Sequence, residues 1–81
     1  MQHVPWDRTD QAEKMKDYTN SQITFLIDEH IHNKRDRTIM KLHYVDGLSA
    51  DAIANISGID LTPRRISQIL SDRLLEIAPF L

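Results

Sequence analysis

"GLSADAIANISGIDLTPRRISQIL", residues 47–70, contains both glycines of the chain, and its reading decides the fold. It opens on Gly47-Leu48-Ser49, runs through a short apolar segment, breaks at Gly58 and restarts behind Thr62-Pro63. Ser49 can accept a hydrogen bond from a free backbone N–H, which predicts a short helix over about residues 50–57. Ala52, Ile53 and Ile56 would face inward, and Gly58 would stop it. Thr62 predicts a second cap. Pro63 then falls at the first helical position, where its missing N–H costs nothing. Leu61 and Ile66 have the spacing of a hydrophobic staple across that start. Ile66, Ile69, Leu70, Leu74 and Ile77 recur at helical spacing as a stripe to be buried, and Pro79 ends the run. The outward positions are Arg64, Arg65, Ser67, Gln68, Ser71 and Asp72. Two helices joined by a tight turn, with facing apolar stripes and a polar outer face on the second, form the pattern of a helix-turn-helix.

Upstream, "KRDRTIMKLHYV" (residues 34–45) predicts a helix capped by Asn33, with Ile39, Met40, Leu42 and Val45 inward. Asp46-Gly47 ends it, with glycine at a left-handed C-cap. "SQITFLIDEHI" (residues 21–31) sets Ile23, Leu26, Ile27 and Ile31 on one stripe and leaves Phe25 off it. Asp10 and Glu13 have capping-box spacing, so helix is expected from near residue 10. Over residues 10–32 the pattern fits one long helix or two. Thr19-Asn20-Ser21 is the expected break, because those side chains compete for backbone hydrogen bonds. Trp6 is expected to anchor the first eight residues to the core. No stretch alternates apolar and polar residues as a strand does. The expected fold is all-α, one structural domain, a bundle of four to five helices containing the helix-turn-helix. Residues 1–33 would be an arm and helix for packing or dimerisation, and residues 34–81 the helix-turn-helix region.

The chain has 81 residues and no cysteine, which excludes disulfides and a cysteine zinc site. A chain this short buries only ~60% of the surface its unfolded form exposes, so its stability margin is thin. No run approaches a membrane span and no signal-peptide layout is present, so a cytoplasmic location away from membranes is expected. Ten basic residues oppose twelve acidic ones, a net charge of -2, which argues against a partner held by bulk positive charge alone. The charge is uneven. Residues 1–33 hold three basic and six acidic residues, and residues 34–81 hold seven and six.

The outer face of the last helix has the chemistry to read base edges. Arginine grips guanine N7 and O6 with two hydrogen bonds, and glutamine does the same for adenine N6 and N7. The N-terminal residues of such a helix are those that reach the bases. Arg64, Arg65 and Gln68 are therefore the expected base readers, with Ser67 and Ser71 beside them. The helix starts at Ser49 and Thr62 can receive phosphate oxygens. Arg35, Arg37 and Lys41 would add phosphate contacts that orient the protein without reading sequence. The plain alternative for Arg64-Arg65 is a solvated helix start. Cations there oppose the helix dipole by ~0.3–1 kcal/mol each, so the pair points to an anionic partner. Asp36 interrupts the run from Lys34 to Arg37, which equally suits a solvated face. His30 and His32 lie about 200° apart on a helix and do not converge on one metal. No nucleophile elbow, phosphate loop or metal-spaced cluster occurs, so neither an enzyme nor a cofactor is expected.

"RDRTIMKLHYVDGLSADAIA" (residues 35–54) resembles the opening of sigma-70 region 4, and "LTPRRISQILSDRLLEI" (residues 61–77) is similar to its recognition helix. Tyr44, Asp46, Gly47, Leu48, Ser49, Ile53, Ala54, Thr62, Ile66, Gln68 and Ile69 all fall in register. The resemblance implies a domain that reads a promoter element and touches the flap of RNA polymerase. Carried over position by position, Arg64, Arg65, Ser67 and Gln68 face DNA and Thr62 meets a phosphate. The turn "SGIDL" is longer than the family's. Pro63 stands where a charged residue is common, and Ser67 where a basic one is frequent. Nothing resembles the segment of a sigma factor that melts promoter DNA, so the likeness is to a small stand-alone regulator of the kind found in phages and mobile elements. The expected function is sequence-specific binding of double-stranded DNA in transcription regulation. Homodimers are common in this class, since two half-sites lie one DNA turn apart. The competing expectation is a protein-interaction module that binds RNA polymerase, a sigma factor or another regulator with little DNA contact. A DNA-packaging or replication adaptor is a third.

Overall fold

The computed structural model describes residues 15–81, so the expected Trp6 anchor and the Asp10–Glu13 capping box lie outside the described residues. Among the described residues four α-helices are complete: α1 (Asn20–His30), α2 (Lys34–Tyr44), α3 (Ala50–Ala54) and α4 (Pro63–Ile77). A 3-10 turn, Ala78–Phe80, closes the chain and carries Pro79. The described residues include no strand, and the protein is all-α.

Each helix starts on a side chain suited to the task. The expected break at Thr19-Asn20-Ser21 is where α1 begins. Thr19 Oγ1 accepts from the Gln22 N–H at 3.1 Å, and Gln22 Oε1 accepts from the Thr19 N–H at 2.8 Å, a reciprocal capping box. Asn33 Oδ1 accepts from the Asp36 N–H at 3.0 Å to start α2. Ser49 and Thr62 cap α3 and α4 through the N–H groups of Ala52 and Arg65, at 3.1 and 3.2 Å. Replacing Thr62 by alanine is expected to cost about 1 kcal/mol of stability, measured by urea unfolding.

The connections follow from backbone conformations few residues adopt. After α2, Gly47 sits at φ +78°, in the left-handed region where a Cβ is unfavourable. The Gly47 and Leu48 N–H groups close the helix end on the carbonyls of His43 and Leu42, at 3.2 and 3.0 Å. Helix α3 is shorter than the expected span to residue 57. The Asn55 and Ile56 N–H groups reach back three residues, to Ala52 and Ile53, so the ladder tightens and stops. Gly58 at φ +95° and Asp60 at φ +57° then carry the chain round to Thr62. Asp tolerates that left-handed conformation better than most side chains.

The core is isoleucine-rich. Ile27, Ile31, Ile39, Met40, Ile53, Ile66 and Ile77 are fully buried. The complete α4 stripe, Ile66, Ile69, Leu70, Leu74 and Ile77, is buried, and α4 packs against α1, α2 and α3. Leu42, Val45, Leu48 and Leu61 pack half-buried around it, so Leu61 and Ile66 do meet the same core. Met15 also enters this core, and the Tyr18 ring packs against it. Tyr44 is buried enough for its hydroxyl pKa to rise above the ordinary value. With its apolar side committed to three neighbours, α4 has one face left for solvent.

Candidate nucleic-acid interface

That free face carries the residues singled out from the sequence. Arg64, Arg65, Ser67, Gln68 and Asp72 are exposed and Ser71 is half-buried. Arg64, Gln68, Ser71 and Leu75 follow each other at steps of four, three and four, so they form one ridge along the helix. Leu75, 47% exposed, extends the ridge as an apolar side chain that sequence reading had not marked. Its signal was present, since it falls between the stripe positions Leu74 and Ile77 without belonging to them. Among the described residues, neither Arg64 nor Arg65 has a carboxylate partner. Two guanidinium groups without a carboxylate partner among the described residues thus stand at the start of α4.

The backbone at that start offers less to an anion than a bare helix end does. Pro63 has no N–H, the Arg65 N–H is held by Thr62 Oγ1, and the Ile66 N–H bonds the Thr62 carbonyl. The Arg64 N–H remains, with the Thr62 hydroxyl hydrogen, which is still free to be donated. At Ser49 the hydroxyl oxygen is likewise occupied by a cap, and Asp51 adds a negative charge to the first turn of α3.

The α2 cations are placed differently. Lys41 Nζ lies 2.6 Å from Asp28 Oδ1 and ties α2 to α1. Arg37 Nη1 donates to the Ile31 carbonyl at 3.3 Å and holds the α1–α2 connection. Arg35 donates to Asp36 Oδ1 at 3.3 Å. All three side chains already hold bonds within the chain, and a phosphate would have to compete for them.

Asp36 is the residue that sequence reading missed. It is 7% exposed and is the buried charged residue of the described core. Besides Arg35, Arg73 of α4 approaches it, Nε to Oδ2 at 3.8 Å, and Arg73 also pairs with Glu76. The back of α4 is thereby tied to the first turn of α2. Arg73 lies eight residues beyond Arg65, about 12 Å along the helix axis. The clamp therefore sits at the far end of α4 from the paired arginines. Arg73→Leu is expected to cost about 1–2 kcal/mol, seen as a lower urea midpoint. The figure is below the ~3–5 kcal/mol for breaking a fully buried pair, because Arg73 is one-third exposed and Arg35 remains.

Elsewhere, His30 stacks on the half-exposed Phe80 ring at 3.7 Å, with the planes 6° apart, and Phe25 is 62% exposed. Among the described residues no helix is long and apolar enough to cross a membrane. Compared with family models, curated proteins and solved structures, the chain gives no match in any of the three.

Proposed function

We propose that the protein is a sequence-specific DNA-binding regulator of transcription in which α3, the turn and α4 act as a helix-turn-helix. The observation that carries this reading is the unpaired Arg64-Arg65 pair on the solvent face of a helix whose opposite face is wholly buried. A cation pair without a partner at a helix N-terminus opposes the dipole, and DNA relieves that cost. Arg64 and Arg65 read guanine edges, Gln68 reads adenine, and Ser67 and Ser71 bond bases or phosphates nearby. The Thr62 hydroxyl and Arg64 N–H hold a phosphate, and Ser49 holds a second through its hydroxyl hydrogen. Arg37 and Lys41 contribute only by exchanging an internal bond for a phosphate. The likeness of residues 35–77 to sigma-70 region 4 supports the same reading, that of a small stand-alone regulator such as phages carry.

Binding of duplexes selected from a random pool tests it. Affinity should fall as salt rises, with log K decreasing by ~0.9 per phosphate contact for each unit of log salt. A salt-independent interaction would remove phosphate contact from the account. A second reading has its own support. The internal bonds of Arg35, Arg37 and Lys41, with the exposed Phe25, Leu75 and Phe80, suit a module that binds RNA polymerase, a sigma factor or a second copy of the chain. In that case the chain binds its protein partner without DNA.

A further inference from the structure

A groove of about 480 Å³ lies between α2 and the turn before α4, lined by Lys34, Arg35, Thr38, Leu42, Ile56 and the Ser57–Ile59 segment. None of these residues is on α4, so the groove and the Arg64–Leu75 ridge are separate surfaces. Its apolar wall is made of Leu42, Ile56 and Ile59, each half-buried, so three branched side chains still present area to a ligand. Its rim is cationic. Lys34 has no carboxylate partner among the described residues, and Arg35 shares the buried Asp36 with Arg73. The rim is also the first turn of α2, an eleven-residue helix. There the Asp36 and Arg37 N–H groups are taken by Asn33, while those of Lys34 and Arg35 are not. A free cation and an apolar wall therefore line one trough, beside a helix start with two unbonded N–H groups.

The geometry points to this groove as the docking site for a short acidic-apolar segment of a partner protein, with a carboxylate on Lys34 and its branched or aromatic side chains on Leu42, Ile56 and Ile59. Charge complementarity selects this occupant. A purely apolar ligand leaves Lys34 and the two N–H groups unused, and a basic one is repelled by the rim. Nucleic acid uses the cations but leaves the apolar wall without a partner. The assignment does not rest on DNA reading by α4, because the two surfaces share no residue that carries either one.

The test is selection of random short peptides displayed against the whole chain, followed by amide-shift mapping with the best synthetic peptide. Enriched peptides should combine Asp or Glu with Leu, Ile or Phe, and shifts should centre on Lys34, Thr38 and Ser57–Ile59. Lys34→Glu, an exposed position that leaves the core intact, should weaken the peptide roughly tenfold. Arg64→Ala/Arg65→Ala should leave peptide affinity unchanged. No enrichment, enriched peptides without acidic residues, shifts centred on Phe25 or on α4, or full affinity in Lys34→Glu would each overturn the assignment. Binding of the duplex pool is read separately on the same samples, so loss of one activity does not stand for loss of the other.

Discussion

Arg64→Ala/Arg65→Ala is expected to lose sequence-specific DNA binding by ~2 kcal/mol or more, roughly thirtyfold in Kd, with the fold unchanged. The magnitude follows from one or two bidentate arginine–guanine contacts at ~1–3 kcal/mol each. The fold should persist because both side chains are exposed and neither pairs with a carboxylate among the described residues. Removing two cations from the first turn of α4 even relieves a mild conflict with the helix dipole, so thermal stability should hold or rise slightly. Fluorescence anisotropy on a selected duplex, beside circular dichroism of both chains, separates the two effects. Equal affinity of native and variant chains for the selected duplex would mean that α4 does not read it.

The largest stability effect is expected at Ile66→Ala, at about 2–4 kcal/mol. Ile66 is fully buried in the first turns of α4, directly behind the arginine pair. Its loss opens a cavity where α4 meets the other helices, in the core that Leu61 also packs against. A domain of this size has few kcal/mol to spare, so a cost at the upper end would leave much of the chain unfolded at ambient temperature. Urea unfolding gives the figure directly. A change below about 0.5 kcal/mol, the range of ordinary surface substitutions, would contradict the placing of Ile66 in the core.

Much of the fold was legible because its signals are local. Asn33, Ser49 and Thr62 announce helix starts by their own side chains, Gly47 and Gly58 take left-handed φ values, and the α4 stripe repeats at helical spacing. The Thr19–Gln22 capping box was equally local, and its spacing could have been read beside the break it creates. The length of α3 was not legible. Ile56 suits the inward pattern, but the chain leaves the helix at Asn55 to meet the geometry of Gly58 and Asp60. Nor was the burial of Asp36. A carboxylate in the first turn of a helix reads as a favourable dipole partner on a solvated face. Its second partner is Arg73, far along the chain, and no local pattern encodes that meeting.

The same distinction applies to the candidate site. The outer face of α4 could be deduced as the complement of its apolar stripe, and the exposed residues are largely those expected. The engagement of Arg35, Arg37 and Lys41 could not, because each is held by a group outside its own helical turn or by a buried neighbour. A basic side chain in sequence is a charge available to a phosphate. In the folded chain it is a charge only to the extent that no carboxylate or carbonyl has claimed it. By that measure Arg64 and Arg65 of α4, with Lys34, are the cations left open to an anionic partner among the described residues.

Amide-shift mapping of the native chain with a duplex selected from a random pool, at low and then raised salt, tests this account most directly. The account predicts that one sequence enriches, that the shifts concentrate on Thr62–Asp72 with a smaller set near Ser49, and that they fade as salt rises. If no duplex enriches at low salt, or if the shifts fall on α1 and α2 and leave α4 unmoved, the helix is not a reading head and its arginines serve another partner.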